Sequence, residues 1–147
     1  KALAEAGATG PAQRVHLVGT SRGAITVAKT AATQKGANRP DTVTITAGMV
    51  VHVTDKQPSA ERNVGNLSRI TQPVLLVHHQ QDSCDYTPAS GVPRAKGLFS
   101  GSKSVTVQLM SGGDPGSGDP CEAKSPHGFL GQDQQVVEIV TGWIAKQ

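Results

Sequence analysis

The sequence predicts an α/β fold in which a parallel sheet of about four strands is flanked by helices. Three observations support this prediction: apolar or β-branched runs alternate with helix-like stretches, the run VLLVHH is continuously apolar over its first four residues, and the closing segment has an amphipathic helical pattern. Strands that alternate with helices form right-handed parallel units. At 147 residues the chain has the length of a single domain.

The first third of the chain contains two predicted strands. Residues 1–7 have the pattern of a helix that ends at a glycine, and 15–19 (VHLVG) form a short strand. A helix is predicted over 22–34, with Gly36 as its stop signal. The β-branched run 42–50 is the second strand.

The remaining elements continue the alternation after a break. Residues 52–71 have no regular period and are expected to form an irregular excursion with at most one short helix, or a short cap. The run 74–79 is a strand buried on both faces. A helix starts at Thr87, which we expect to be its N-cap, and runs to Phe99. The fourth strand is 104–110.

An irregular loop rich in Gly and Pro precedes the last predicted helix. That helix carries apolar residues at three- and four-residue spacing, which places them on one face against the sheet. They are Val136, Val137, Val140, Trp143 and Ile144.

Composition excludes two classes of partner. The formal charge of +3 comes from scattered Lys and Arg, and aromatic residues are 3% of the chain, so a nucleic-acid surface is not expected. No apolar stretch approaches the roughly 20 residues of a membrane span.

The segment GTSRG (Gly19 to Gly23) lies where the first strand turns into a helix. A serine nucleophile on such a turn requires small residues two positions before and two after it, and Gly19 and Gly23 meet this requirement. Ser21 is therefore the candidate nucleophile. The alternative is a glycine-rich turn whose serine caps the helix.

A serine nucleophile needs a general base and an orienting acid. Asp82 follows the third strand, and His127 lies in SPHGF just before the last helix. These positions follow strand ends, where the functional groups of a parallel sheet collect. The chain order is Ser21, Asp82, His127, as a hydrolase sheet of this kind requires. Asp85 is the alternative acid.

The other histidines have weaker assignments. His16 is expected to pack within its strand, and His52 lies past the second strand. Either His78 or His79 is expected to approach the site; as neighbours on a strand they point to opposite faces and cannot share a metal ion. The candidate pocket residues are Thr20, Met49 and His79.

Cys84 and Cys121 flank the candidate acid and base in the sequence. A disulfide between them would tie the two loops together and stabilise the fold by about 4 kcal/mol. The alternative is two buried thiols. Periplasmic or secreted residence is expected on the basis of this disulfide.

The motifs GTSRG, HHQQDSC and SPHGF together resemble the α/β-hydrolase superfamily, in an esterase-like branch. The resemblance covers residues 15–147, essentially the C-terminal half of such an enzyme, so 1–147 is predicted to be one partial domain. It implies Ser21 as nucleophile, His127 as base, Asp82 as acid and the Arg22 backbone N–H as an oxyanion donor. It also implies small-molecule esters or related acyl compounds as substrates.

Members of that superfamily have several strands before the nucleophile, and a loop among them gives a second oxyanion N–H. No such strands precede Ser21 here, so we expect an N-terminal segment of the same protein as a partner and little activity from the 147 residues alone. The expected function is a serine hydrolase that works through an acyl-enzyme and requires no metal or organic cofactor. The alternatives are a non-catalytic binding domain and a peptidase of the same fold.

Overall fold

A computed structural model describes residues 14–147, so the predicted helix end at 1–7 lies outside the described residues. The described part contains a four-stranded, all-parallel sheet with the order β1-β2-β3-β4. This confirms the predicted α/β fold class. The strands are β1 (His16–Thr20), β2 (Thr42–Thr46), β3 (Val74–His79) and β4 (Val105–Met110).

Helices cover both faces of the sheet. They are α1 (Gly23–Thr33), α2 (Ala60–Val64), α3 (Val92–Leu98) and α4 (Asp133–Ile144). The larger apolar core joins α1, α2 and α3 to one face, and a smaller core joins α4 to the other. No helix within residues 14–147 has the length and apolar character needed to cross a membrane.

The two central strands are buried along their whole length. Every residue of β2 and β3 is buried, whereas β1 and β4 alternate between buried or half-buried and exposed positions. Burial on both faces explains the continuous apolar run in β3, since neither face of that strand contacts water.

The second strand is shorter than the predicted 42–50. It ends at Thr46 because Ala47 adopts a positive φ of 43°, which turns the chain out of the sheet. At Gly48, a Cβ atom would lie 2.1 Å from the Ile45 side chain, so the bend requires a glycine. The turned segment brings the Met49 N–H to the carbonyl of Ser21, at 3.0 Å.

The segment 52–71 contains two short regular elements. It includes α2 and a 3-10 turn at Leu67–Arg69. Ser59 caps α2 by accepting a hydrogen bond from the Arg62 N–H. Glu61 fastens the segment, because it accepts from the His52 N–H and pairs with Arg94 of α3.

Two helix details differ from the prediction. Thr87 is not an N-cap: a 3-10 turn at Ala89–Gly91 leads into α3, and the Thr87 hydroxyl bonds to Asp82 instead. In α4, Val137 is 59% exposed, and Ile139 packs on the sheet side. The reason is the helical period, since residue 137 lies about 100° around the helix from residue 136.

Candidate active site

Ser21 lies in a tight turn between β1 and α1, and its backbone has a φ of 50°. Left-handed geometry costs a non-glycine residue about 1 kcal/mol or more, so its surroundings must hold it there. The Ser21 N–H donates to Thr46 O at 3.0 Å, and the Ser21 carbonyl accepts from the Met49 and Ala24 N–H groups. These bonds fix Ser21 beyond the carboxyl end of the sheet.

The two glycines beside Ser21 are not equivalent. A Cβ atom on Gly19 would lie 2.7 Å from the Gly23 carbonyl oxygen and 2.9 Å from Val27, whereas one on Gly23 would meet no atom within 4 Å. The expectation that the turn requires small residues at both positions therefore holds for Gly19 alone. The reason is that Gly19 faces the backbone of α1, whereas Gly23 faces open space.

The start of α1 leaves polar groups available. No side chain caps this helix, so the Ser21 hydroxyl does not act as the capping group that the alternative interpretation requires. No acceptor among residues 14–147 takes the Arg22 N–H in a hydrogen bond. The Arg22 side chain reaches Gln57, in the segment that follows β2.

Asp82 and His127 lie together although 45 residues separate them in the chain. The Nδ1 atom of His127 is 3.0 Å from Asp82 Oδ2, and both side chains are buried. The Thr87 hydroxyl donates to the same oxygen at 3.0 Å and lies 2.9 Å from His127 Nδ1. Asp85, the alternative acid, is exposed. The histidine therefore pairs with Asp82.

The Asp82 carboxylate is held in its charged form. Burial by itself raises the pKa of this carboxyl, but hydrogen bonds from His127, His78 and the Cys84 N–H, with the Coulomb attraction of His127, outweigh it. The pKa of Asp82 consequently lies well below its usual range. An ionised carboxylate accepts a hydrogen bond from Nδ1–H, so it selects the tautomer of His127 that leaves Nε2 with a lone pair.

His127 has one nitrogen bonded and one free. It lies in a 3-10 turn at Pro126–Gly128, where Ser125 accepts from the His127 N–H. Its Nε2 atom is buried and has no hydrogen-bond partner within the described part of the chain. A buried polar atom without a partner costs free energy and is a feature of functional sites. Its lone pair can accept a hydrogen bond from a hydroxyl group placed beside it.

The predicted disulfide between Cys84 and Cys121 is present. It joins the loop that carries Asp82 to the loop that carries His127, as expected. Asp82, Cys84 and His127 are the one cluster with metal-ligand spacing among the described residues. Because Cys84 is in the disulfide, it has no thiolate to offer, and the two remaining groups are fewer than a metal site requires.

His79 contacts the histidine loop. Its Nδ1 accepts from the Gln81 N–H, so its Nε2 carries the proton and donates to Gly112 O at 3.0 Å. Its ring also packs edge-on against Phe129, two residues after His127. His79 thus supports the loop that carries His127.

His78, rather than His79, approaches Asp82, at 3.2 Å. Of the other residues singled out in the sequence, Thr20 and Met49 lie near the turn that carries Ser21, and His16 lies in β1. Thr20 shares a hydrogen bond with Thr46, and Met49 is buried. His16 bonds to Thr42 within the sheet, as a packed strand residue would.

An apolar cavity of about 30 Å³ lies between α3, β3 and the segment after β2, and it is lined in part by His78 and Thr87, which contact Asp82. Sequence reasoning missed it because its walls come from three separate segments that are distant in the chain. Its apolar lining includes Val50, Val51, Leu76 and Val92, and its polar lining includes His78 and Thr87. Gly48, next to the Met49 that bonds to Ser21, also lines it.

No model of a known protein family matches this chain, and no curated protein sequence matches it significantly. The function must therefore be argued from the geometry of the site.

Proposed function

We propose that the protein is a serine hydrolase that acts on small esters or related acyl compounds, as the resemblance to α/β-hydrolases implies. The observation that carries the proposal is the state of His127: Nδ1 is bonded to a buried, ionised Asp82, and Nε2 is buried without a partner. A general base needs this arrangement, with one ring nitrogen oriented by an acid and a lone pair on the other. The strained turn at Ser21 supports it, since strain of this kind collects at active sites.

The proposed reaction proceeds through an acyl-enzyme. His127 Nε2 takes the proton of the Ser21 hydroxyl as its oxygen attacks the substrate carbonyl. The same nitrogen returns the proton to the leaving alcohol as the ester bond breaks. Water then attacks the acyl-enzyme by the same route, which releases the acid and restores Ser21. Nε2 has no hydrogen bond to Ser21 in this structure. We propose Ser21 as its partner, because contacts between a serine and its base are often long without substrate and shorten in the complex.

The Arg22 N–H is the proposed oxyanion donor, because no acceptor among residues 14–147 takes it and it follows Ser21 directly. A second donor is proposed to come from a segment that pairs with β1. In the described residues β1 pairs with β2 alone, and Val18 on this strand is 51% exposed. Unpaired edges attract further strands. A chain that is fully active and strictly monomeric by light scattering would contradict this part of the proposal.

The cavity next to Asp82 is the proposed site for a short apolar group of the substrate. Its lining is mostly aliphatic, which favours an uncharged alkyl group over a charged one. The disulfide supports residence in an oxidising compartment, and we propose a periplasmic or secreted location.

A series of nitrophenyl esters with increasing acyl length tests this function. We expect slow turnover, because Arg22 supplies one oxyanion donor and the proposed second donor lies on a further segment. The turnover should favour short acyl groups, and it should be abolished in Ser21→Ala but retained in Ser90→Ala, an exposed serine. Gly91→Ala adds a methyl group 3.9 Å from Val51 in the cavity wall and should shift the preference to shorter esters. Gly97→Ala, in the same region but with no neighbour within 4 Å, is the matched control.

Other outcomes favour the alternatives. Turnover of peptide anilides in preference to esters would indicate a peptidase of the same fold. No turnover, together with ligand binding that Ser21→Ala leaves unchanged, would indicate a non-catalytic binding domain.

A further inference from the structure

The Asp82 carboxylate has a second histidine beside it. His78, in β3, is 6% exposed, and its Nε2 lies 2.8 Å from Thr87 O and 3.2 Å from Asp82 Oδ2. Both oxygens accept hydrogen bonds, so Nε2 carries a proton whichever oxygen receives it. The hydrogen bond is to the Thr87 carbonyl, and the Asp82 carboxylate contacts the same nitrogen.

We propose that His78 is a positioning residue for the Asp82–His127 pair, and this inference rests on the proposed hydrolase function. Asp82 Oδ2 has three donors around it, from His127, Thr87 and His78, while Oδ1 accepts from the Cys84 N–H at 2.9 Å. A carboxylate held on both oxygens cannot rotate away from His127 without losing several bonds at once.

Thr87 transmits part of the effect. Its carbonyl accepts from His78, and its hydroxyl donates to Asp82 and lies 2.9 Å from His127 Nδ1. His78 therefore anchors one end of the residue whose other end contacts both members of the pair. A leucine at position 78 would fill the cavity wall but would leave the Thr87 carbonyl without its donor.

Packing alone does not account for this histidine. The other strand histidines, His16 and His79, also bond to neighbours, but neither contacts a carboxylate. The titratable groups around His78 are Asp82, at 3.2 Å, His127, which bonds to the same carboxylate oxygen, and Tyr86, which lines the same cavity. His78 is thus the strand histidine that contacts Asp82.

Loss of His78 changes the pH dependence in a defined direction. A carboxylate relieved of one donor binds the proton that it shares with His127 more tightly. The acid limb of the reaction rate, which belongs to the pair, should therefore move to higher pH. We expect the rate on the plateau to fall about tenfold, as a less well oriented base transfers protons less efficiently.

The test measures the rate at which a fluorophosphonate labels Ser21, from about pH 5 to pH 9, where the oxygen–phosphorus bond forms, fluoride leaves and His127 takes the proton. His78→Leu should show the slower plateau and the shifted limb, and His78→Gln, which keeps an N–H donor, should restore most of both. His16→Leu is the matched control for loss of a strand histidine and should behave as wild type. The proton NMR signal of His127 Nδ1–H should shift or broaden in His78→Leu.

A folded His78→Leu variant with the wild-type rate, pH profile and NMR signal would overturn the proposal. If that variant does not fold, His78→Asn replaces it, because its amide is too short to reach Asp82. Absence of labelling in the wild type would contradict the hydrolase function instead. The NMR signal then still tests His78, since it requires no reaction at Ser21.

Discussion

Asp82 is the residue on which the hydrogen bonds of the site converge. Its carboxylate is buried, and its donors hold its pKa below the usual range. Such a group stabilises the folded state above about pH 4, and this contribution is lost as the pH falls toward the depressed folded-state pKa. Asp82 therefore links stability to pH as well as holding the His127 ring through a hydrogen bond.

Asp82→Asn should remove this link. We expect the variant to be about 2 kcal/mol less stable at pH 6, because hydrogen bonds to a charged group are lost. Its stability should then fall less steeply than that of the wild type between pH 5 and pH 2, a range set by the ordinary carboxyl pKa near 4. Urea unfolding of both proteins across this pH range measures the two slopes. Asp85→Asn, an exposed carboxylate in the same loop, should keep the wild-type slope; an equal slope in Asp82→Asn would contradict the assignment.

The glycines of the nucleophile turn give a second prediction. Gly19→Ala places a methyl group against the Gly23 carbonyl and should destabilise the fold by about 2 kcal/mol, as overpacked sites do. Gly23→Ala should cost little, because no atom lies within 4 Å of the added carbon. Thermal unfolding of the two variants makes the comparison. Equal losses in both would show that the turn is packed differently.

At the scale of elements, Asp82 lies in an irregular loop after β3 and His127 in another before α4, and the disulfide joins the two loops. The bridge closes a segment of 37 residues in sequence separation, and loop entropy then contributes about 4 kcal/mol. Neither loop contains a long helix or strand that would hold Asp82 near His127. The bridge therefore supports the pair as well as the fold.

Removal of the bridge should affect stability and reactivity together. We expect the double variant Cys84→Ala, Cys121→Ala to lose about 3–4 kcal/mol of unfolding free energy and to react more slowly at Ser21. Urea unfolding and fluorophosphonate labelling measure the two effects. A reductant should reproduce them in the wild type and change nothing in the double variant. Full reactivity after reduction would show that the loops hold the pair unaided.

Periodicity predicted the elements well where one period dominates. The continuous apolar run of β3 and the amphipathic pattern of α4 identified both correctly. The end of β2 was missed because Ala47 turns out of the sheet through a backbone conformation that no residue type announces. Thr87 was misassigned because a threonine before a proline resembles a helix cap, whereas tertiary contacts direct its hydroxyl to Asp82.

The site was predictable to the extent that it follows from topology. Parallel strands place their carboxyl ends at one edge of the sheet, so topology alone points to Ser21, Asp82 and His127, which all follow strands. The contact between His78 and Asp82 was not predictable, because a strand pattern does not tell which of two neighbouring histidines faces this carboxylate. The cavity was not predictable either, since it depends on how the segment after β2 folds onto α3.

At the scale of the whole molecule, the sheet places the turn and the pair at one edge. Ser21 follows β1, Asp82 follows β3, and the bend after β2 lies between them and bonds to Ser21 through Met49. The edge strand β1 is the side on which we propose that a further segment pairs. We propose that the turn at Ser21, the Asp82–His127 pair and the bend after β2 act together to activate the Ser21 hydroxyl.

The most direct measurement is the intact mass of the protein after exposure to a fluorophosphonate. We predict one adduct, located on Ser21 by peptide mapping, that is absent in Ser21→Ala and strongly reduced in Asp82→Asn, where the base is held in the wrong tautomer. An adduct that persists in Ser21→Ala, or a folded wild-type protein that forms none, would contradict the proposal that His127 and Asp82 activate this serine.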